Sequence, residues 1–476
     1  MTNDRPESPP RPGRETGSRP GSETRSRSGS EAAPRPGGDP PLPPPSGGEP
    51  PAPPRSTSEL PALTKSPFDS DTFTFATFVT VGRGPDLALA VVWILARAGM
   101  LLLLVRDDLG IGGVGREVGL YQYWYGQFAA GTFPPGDAMW QYPPGAGLVV
   151  MAPGLLLPWL TYFKAFVALT LLADAVVTLA LARADSARLT HGAWIWVCGL
   201  PLLLHLPLAR YDVQTTALAV LALLALGARS TAAHRLGGAL AGIGAMVKVW
   251  PALALIGTPR GRTTREAWTA AAVTVLVLLA TLALLFSESL GFLRQQGGRG
   301  IQIESLGGTA LAVARATGAW SGRVDFRYGA FEYVGPYVST LGHLALLLTV
   351  LAFGWLLLWR LQAHRWTPAT PLDAALAAVL LFTVTSRVIS PQYMIWLIGL
   401  AAVCLTSRDT VMRPVALLLL PAAALSSLAY PVLYADVVDG TATGLAVMVL
   451  RNGLLLAAAL LAARRLWTST ATPDAE

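Results

Sequence analysis

The chain has 476 residues, of which 52% are hydrophobic and only 14% are charged, and its mean hydropathy is +0.47. This balance is typical of an integral membrane protein and excludes an ordinary soluble domain. The net charge of +7 and the pI of about 9.6 do not indicate a nucleic-acid partner, because the basic residues are scattered between apolar runs. Cys198 and Cys404 both lie inside apolar runs, so the sequence predicts neither a disulfide framework nor a zinc site.

The N-terminal region, which we place at 1–75, differs in composition from the rest of the chain. Its first 66 residues hold 17 of the 37 prolines, with nine basic and eight acidic residues. Few bulky apolar side chains are present to offset the conformational entropy of ordering, so we predict a disordered tail. Its PLPPP run would suit an SH3-like groove, but a solvated passive tail is the simpler interpretation.

Twelve apolar runs follow, each of a length that suits a membrane-spanning helix. They are 86–105, 146–160, 161–182, 192–208, 213–228, 236–257, 267–287, 337–360, 371–386, 392–406, 411–430 and 443–463. Prolines interrupt the second and sixth runs, so each of these two is a candidate to enter the membrane and return. We therefore predict an all-α polytopic membrane protein over 76–467, with twelve spans or with ten if both runs are re-entrant, and a short tail at 468–476.

Basic residues cluster at one set of span ends. They are Arg260, Arg262, Arg265, Arg360, His364, Arg365, Arg408, Arg413, Arg464 and Arg465. The positive-inside rule assigns this side and the N-terminal tail to the cytoplasm. The segments 117–145 and 288–336 then face outward from the plasma membrane under either span count.

The segment Glu117 to Gly145, EVGLYQYWYGQFAAGTFPPGDAMWQYPPG, combines two carboxylates with six Tyr and Trp side chains. Its two Pro pairs forbid one continuous helix, so we predict a loop. Aromatic faces stack on a sugar ring, and a carboxylate accepts a hydroxyl proton, which favours a sugar site. An interfacial aromatic belt is the alternative.

Several ionisable residues lie within or at the edge of apolar runs, where an unpaired charge is costly. Arg210 and Asp212 are two residues apart and could pair with each other in a turn or contact a ligand. Lys248 stands in the middle of a run, and snorkelling to the interface is its alternative. Arg387 precedes an outer turn where a cation would meet an anionic headgroup. Arg451 lies inside the last span and is interpreted as a packing and pairing device.

The stretch Arg294 to Ser305, RQQGGRGIQIES, stands in the outer segment 288–336. Its glycines allow close backbone approach to a ligand, Arg299 offers a bidentate fork for phosphate, and Glu304 offers a carboxylate. A flexible, solvated loop is the alternative interpretation.

The order of these motifs is more specific than any one of them. An acid precedes L-Y-x-x-W, and then follow G-x-F-P, Y-P-P-G, R-x-D, K-V-W-P, R-G-I-Q-I-E-S and S-P-Q-Y-x-x-W-L. Over about residues 86–465 this order resembles the polytopic GT-C glycosyltransferases of family 87, which include polyprenol-phosphate-mannose-dependent mannosyltransferases. The resemblance implies a GT-C-like fold, a polyprenyl-phosphate sugar donor, a lipid or glycan acceptor on the outer side, and inversion at the anomeric carbon.

The resemblance also implies roles for individual residues. Glu117 takes the position of the family's catalytic base, which is usually Asp, and Asp107 and Asp108 are the nearby fallback. The expected substrate-binding residues are Tyr121, Trp124, Asp137, Tyr142, Arg210, Asp212, Lys248, Arg299, Glu304, Arg387, Gln392 and Tyr393. No metal ligands are assigned, and a divalent cation at the donor remains an open alternative.

The chemistry of transfer from a lipid phosphate supports this interpretation. A phosphate leaving group needs cations more than a general acid, so one carboxylate and several Arg or Lys side chains would suffice. A transporter or lipid flippase would also need charges in the membrane and is the first alternative. A noncatalytic scaffold, which would explain Glu in place of Asp, is the second.

Overall fold

The computed structural model describes residues 87–109, 113–134, 139–184, 191–286 and 299–472. The tail at 1–75, the predicted ligand Asp137 and the Arg294–Gly298 part of the glycine-rich stretch lie outside the described residues. The α-helices are α1 Leu87–Arg106, α2 Arg116–Ala129, α3 Ala146–Met151, α4 Tyr162–Ala184, α5 His191–Gly199, α6 Asp212–Leu226, α7 Thr231–Val247, α8 Arg262–Leu285, α9 Leu306–Ala316, α10 Val338–Gln362, α11 Thr370–Thr385, α12 Tyr393–Cys404, α13 Arg413–Ser427, α14 Tyr434–Asp439 and α15 Ala442–Thr470.

Each of the twelve apolar runs coincides with a helix or with a helix continued by a 3₁₀ turn. Among the described residues, six helices are long and apolar enough to cross a membrane, and shorter apolar helices account for other runs. The six are α1, α4, α8, α10, α13 with the turn that follows it, and α15. The prediction of an all-α polytopic membrane protein is confirmed. The last helix continues beyond the predicted boundary at 467 and ends at Thr470.

The sixth run returns to the end of the bundle at which it begins, because α7 and α8 lie parallel. A Cβ at Gly238 would approach the carbonyl oxygen of Ala267 to 2.0 Å, and one at Gly242 would approach that of Ala271 to 2.8 Å. From the first contact to the second, the position advances by four residues along α7 and by four residues along α8. The two helices therefore run in the same direction and start at the same end of the bundle. The chain between them therefore returns through the 3₁₀ turn Trp250–Leu255.

The second run also begins and ends at one end of the bundle. Gly145, just before α3, packs against the backbone of Met246 near the end of α7, and Phe163 at the start of α4 packs on Gly115 at the start of α2. Helix α3 and the 3₁₀ turn Ala152–Leu156 are together shorter than the roughly 30 Å of a bilayer core. In the described residues, the return of both runs agrees with the alternative of ten spans.

The described parts of the segments 117–145 and 288–336 are more ordered than the sequence predicted. Helix α2 lies inside the predicted aromatic loop, where Val118, Tyr121, Trp124 and Phe128 recur at helical spacing and are buried. The prolines follow this helix and therefore do not interrupt it. The prediction of a loop at this position is wrong for Arg116–Ala129.

The segment 288–336, as far as it is described, holds helix α9 and a small antiparallel sheet. The strands are β1 Ile301–Gln302, β2 Arg323–Arg327 and β3 Ala330–Val334, in the order β1-β3-β2. Tyr328 and Gly329 join β2 to β3 with positive φ angles of 51° and 76°, which matches a two-residue hairpin turn. A solvated, irregular loop is therefore not the structure of residues 299–336.

The basic span ends meet at one end of the bundle, which we call the arginine end and define by Arg260, Arg360, Arg365 and Arg465. The guanidinium of Arg260 donates to the carbonyls of Arg360 and Leu361, at 2.6 Å each. The other three arginines donate to backbone carbonyls of neighbouring helix ends. If successive spans alternate in direction, these basic span ends must all lie at the same end of the bundle, as they do here.

Candidate active site

A cavity of about 1010 Å³ lies at the end of the bundle opposite to the arginine end. The start of α2, the chain before α6, the end of α7, the small sheet and the connection from α11 to α12 all contribute to its wall. Predicted ligands that line it are Glu117, Tyr142, Arg210, Lys248, Arg299, Glu304, Arg387, Gln392 and Tyr393. The fold thus brings together residues that are up to 276 positions apart in the chain, from Glu117 to Tyr393.

Glu117 stands in the first turn of α2, at the wall of the cavity. An oxygen of its carboxylate lies 2.5 Å from Arg210 Nη1, and about a quarter of its side chain is exposed. The hydroxyl of Tyr121, one helical turn later, donates to the other oxygen at 3.5 Å. Arg210 also bonds to the hydroxyl of Tyr430. The carboxylate is held in place and still faces open space.

Lys248 occupies an aromatic cage that the bend after α7 creates. Its Nζ lies 4.7 Å from the ring centre of Tyr211 and 5.2 Å from that of Trp396. It donates to Asp212 Oδ1 at 2.6 Å, and the indole N–H of Trp396 donates to the same oxygen. A buried lysine of this kind is not snorkelling to an interface, so that alternative is wrong.

The two predicted partners Arg210 and Asp212 do not pair with each other. Arg210 pairs with Glu117, and Asp212 pairs with Lys248. Asp212 begins α6 while Arg210 precedes it in an extended conformation, so the two side chains point to different partners. The suggestion of a local pair in the turn is therefore wrong.

Arg299 and Arg387 stand side by side on the cavity wall. The guanidinium of Arg387 donates to the carbonyl of Arg299 at 3.0 Å, and the N–H of Gln302 donates to the carbonyl of Arg387 at 3.1 Å. Arg299 Nε lies 3.5 Å from a carboxylate oxygen of Glu332 in β3. These backbone contacts attach the start of the sheet to the turn before α12.

Glu304 lies at the buried side of the cavity, with 2% of its surface exposed. Burial raises the pKa of this carboxyl group to about 7, against the opposing effect of the positive charges of Arg451 and Arg210. Arg451 in α15 donates to the backbone carbonyl of Glu304 at 2.8 Å, which agrees with its interpretation as a pairing device.

Other predicted site residues do not line the cavity. Tyr121 and Trp124 are 1% and 0% exposed and pack in the aromatic core, so they are out of reach of a sugar. Asp107 accepts hydrogen bonds from the N–H groups of Val114 and Gly115 and therefore anchors the start of α2. Asp108 is exposed and not on the cavity wall. Asp212 does not reach the cavity and contributes to the site through its ion pair with Lys248.

Several residues that matter to this site or its frame were not predicted from the sequence. Gln302 lines the cavity and belongs to the motif R-G-I-Q-I-E-S, in which only Arg299 and Glu304 were predicted to bind a ligand. Tyr430 and Trp396 line it too, and their aromatic character alone does not separate them from the core. In the middle of the bundle, Arg97 pairs with Asp174 at 2.8 Å, and the strong sequence signal of a charge inside an apolar run was overlooked.

No group of three or more His, Cys, Asp and Glu side chains that could hold a metal ion is found in the part of the chain that the structure describes. The cavity is instead dominated by cations, namely Arg116, Arg210, Lys248, Arg299 and Arg387, with Glu117 and Glu304 as its carboxylates. This composition suits a ligand that carries a phosphate.

A polytopic helical bundle with a cation-rich cavity at one end defines a membrane protein with a site that suits an anionic ligand. The sequence comparison narrows this class. The family model for glycosyltransferase family 87 matches residues 140–391, which is more than half of the chain. The chain belongs to this family and is a membrane glycosyltransferase. No curated protein sequence matches it.

The matched range includes most of the cavity wall but not all of it. Arg210, Lys248, Arg299, Glu304 and Arg387 lie inside the range. Glu117 precedes it, so the proposed base is assigned on geometry and on the motif order of the sequence.

Proposed function

We propose that the protein transfers a hexose, most simply mannose, from a polyprenyl-phosphate sugar to a lipid or glycan acceptor outside the cytoplasm, with inversion at the anomeric carbon. The observation that carries this proposal is the pairing of one fixed carboxylate, Glu117, with several cations on the wall of a single cavity. A noncatalytic scaffold does not need a carboxylate held in this way beside several cations.

Glu117 serves as the general base. Its carboxylate takes the proton of the acceptor hydroxyl as that oxygen attacks the anomeric carbon from the face opposite to the phosphate. The bond from the anomeric carbon to the phosphate oxygen breaks, and the polyprenyl phosphate leaves with the electron pair. Arg210 and Tyr121 hold the carboxylate in position, so no reorganisation is needed when the acceptor arrives.

Lys248, Arg299 and Arg387 stabilise the phosphate as negative charge develops on it. Lys248 is already partly compensated by Asp212, and Arg387 is fixed by the carbonyl of Arg299. Cations that are fixed before the reaction stabilise a developing charge better than mobile ones, because they lose little entropy. The cavity at the bundle end gives a lipid-linked donor direct access from the bilayer.

The orientation follows from the distribution of basic residues. The arginine end is cytoplasmic by the positive-inside rule, and the cavity then opens outside the plasma membrane. Nucleotide sugars are absent there, which favours a lipid-linked donor. A single-cysteine labelling experiment on each end, in intact cells with a membrane-impermeant reagent, would test this assignment.

The decisive experiment uses purified protein in lipid nanodiscs with polyprenyl-phosphate mannose labelled in the sugar. Wild type should release the label from the donor when membrane lipid extract is supplied as the acceptor source, and the Glu117→Gln variant should not. Polyprenyl-phosphate glucose tests whether the sugar is mannose. A donor that stays intact with every extract, but moves across a vesicle membrane, would favour the flippase alternative.

A further inference from the structure

One part of the cavity wall has no role in the proposed proton transfer or in binding the phosphate. Gln302 and Glu304 both line the cavity and are only 3% and 2% exposed. The amide N–H of Gln302 donates to Glu304 Oε2 at 2.9 Å. Gln302 Oε1 and Glu304 Oε1 have no hydrogen-bond partner among the described residues.

Two buried oxygen atoms without donors are unusual, because each costs free energy until a donor satisfies it. Gln302 Oε1 is an acceptor, and so is Glu304 Oε1 in the ionised carboxylate. Gln302 ends β1, and Glu304 lies in the turn that follows it. The ligand that would satisfy them carries two hydroxyl groups close together. Vicinal hydroxyl groups of a sugar ring have this chemistry.

The backbone that carries this pair is held from three sides. Ile301 and Gln302 pair with Tyr333 and Glu332 of β3, and the N–H of Gln302 donates to the carbonyl of Arg387. From the membrane side, Asn452 donates to the carbonyls of Glu304 and Ser305. A segment fixed in this way can discriminate the positions of hydroxyl groups, since it does not adjust to a wrong one.

The same contacts place the pair next to the phosphate cations. Arg299 precedes Gln302 by three residues, and Arg387 bonds to the backbone of both. The sugar of the donor is joined directly to its phosphate. Acceptor oxygens on the segment that begins with Arg299 and bonds to Arg387 are therefore expected to meet the sugar of the donor before the sugar of an acceptor glycan.

We infer that Gln302 and Glu304 form a hydroxyl-reading pair that binds the donor sugar and sets which sugar the enzyme accepts. This inference rests on the proposed function, because it assumes a sugar joined to a lipid phosphate. It assigns to Gln302 and Glu304 a contact with the donor sugar, while Glu117 acts on the acceptor hydroxyl.

The test compares the binding of two lipids, a short-chain polyprenyl phosphate and its mannosyl ester, to full-length protein without any acceptor. Gln302→Leu and Glu304→Gln should weaken binding of the mannosyl ester by about 10-fold to 100-fold, since each removes one or more hydrogen bonds to a hydroxyl group. Binding of the bare polyprenyl phosphate should stay within about 2-fold of wild type. Retained binding of the bare lipid also shows that the variants are folded.

Arg387→Gln is the matched control, because it should weaken the binding of both lipids equally. Two results would overturn the inference. If the Gln302 and Glu304 variants bind both lipids as wild type does, the pair does not contact the donor sugar. If they lose both lipids together, the pair supports the cavity as a whole.

The outcome also separates this inference from the proposed function. If wild type binds neither lipid, the donor class itself is wrong and both proposals fall. If wild type binds both, and the Gln302 and Glu304 variants bind the mannosyl ester as tightly as wild type does, only the hydroxyl-reading pair is refuted.

Discussion

Arginines stand at both ends of this bundle, but in two different settings. At the arginine end, Arg260 and Arg360 donate to backbone carbonyls where helices end. At the cavity end, Arg210 and Arg299 face the carboxylates of Glu117 and Glu332. One setting satisfies backbone groups that every helix end leaves without partners, and the other builds a charged ligand site.

The two settings differ in how much hydrogen-bonding capacity each arginine retains for a ligand. A guanidinium that is used to cap helix ends contributes to stability and has no function toward a ligand. Arg210 Nε has no hydrogen-bond partner among the described residues, although the group is paired and lines the cavity. Substitutions at the cavity end should therefore change kinetics first, and substitutions at the arginine end should change stability first.

The largest effect is expected at Glu117. Glu117→Gln keeps the size of the side chain but removes its basicity, so turnover should fall by about 10²-fold or more. Affinity for the donor should be retained, because the base acts in the transition state. Single-turnover kinetics with labelled donor would measure the rate of the chemical step, and a separate binding measurement would give the affinity for the donor.

Two further variants sharpen this result. Glu117→Asp restores the residue usual in the family but withdraws the carboxylate by one methylene group, so partial activity would indicate that α2 can adjust. Asp108→Asn is the matched control, since Asp108 is exposed and away from the cavity. If Glu117→Gln turned over normally and Asp108→Asn were inactive, the base would be Asp108 and not Glu117.

The next effect is expected at Lys248. Lys248→Met should raise the KM for the donor by about 10-fold, because a fixed cation at the phosphate is lost. It also leaves Asp212 buried without its cation, which lowers the free energy of unfolding. The double variant Lys248→Met with Asp212→Asn relieves this second effect. Recovery of both stability and donor affinity in the double variant would show that Lys248 serves only the structure.

A smaller effect is expected at the arginine end. Arg360→Met removes hydrogen bonds to the carbonyls of Ile256 and Thr258 and to the hydroxyl of Thr264, so it should lower the free energy of unfolding by about 1–3 kcal/mol. Arg260→Met is the matched variant and should cost less, since Arg260 is exposed and water can replace it. Both should keep wild-type kcat/KM per folded molecule. A kinetic defect in either would break the distinction between the two ends.

The sequence predicted the positions of the helices better than the contacts that the helices and their side chains make with each other. Apolar runs located the helices because hydrophobic length is a local property. That the sixth run returns was left open, since it depends on the close approach of Gly238 to Ala267 across two helices. The ion pair of Lys248 with Asp212 joins residues 36 apart in the chain, and no local pattern records it. The site residues were named from motif order, and only the fold separates Tyr142 on the cavity wall from Tyr121 in the core.

The smallest effect concerns the titration of Glu304, whose pKa is about 7 in the folded protein against an ordinary value of 4.5. Between these two values the folded chain retains a proton that the unfolded chain releases. The contribution of Glu304 to stability therefore falls as the pH rises through this window and levels off above about 7. The charged groups that act on Glu304 are the guanidinium groups of Arg451 and Arg210, whose positive charges oppose the effect of burial, and the nearby phenols are those of Tyr430, Tyr434 and Tyr393.

Glu304→Gln removes this titration while it keeps the side chain close to its original size. The apparent melting temperature of wild type, relative to that of the variant, should therefore decrease from pH 5 to pH 8 in thermal scans of both proteins in the same detergent. A difference that stays constant over this range would mean that Glu304 has its ordinary pKa in the fold. The carboxylate would then be hydrated through the cavity, and its unpartnered oxygen would no longer require a sugar hydroxyl.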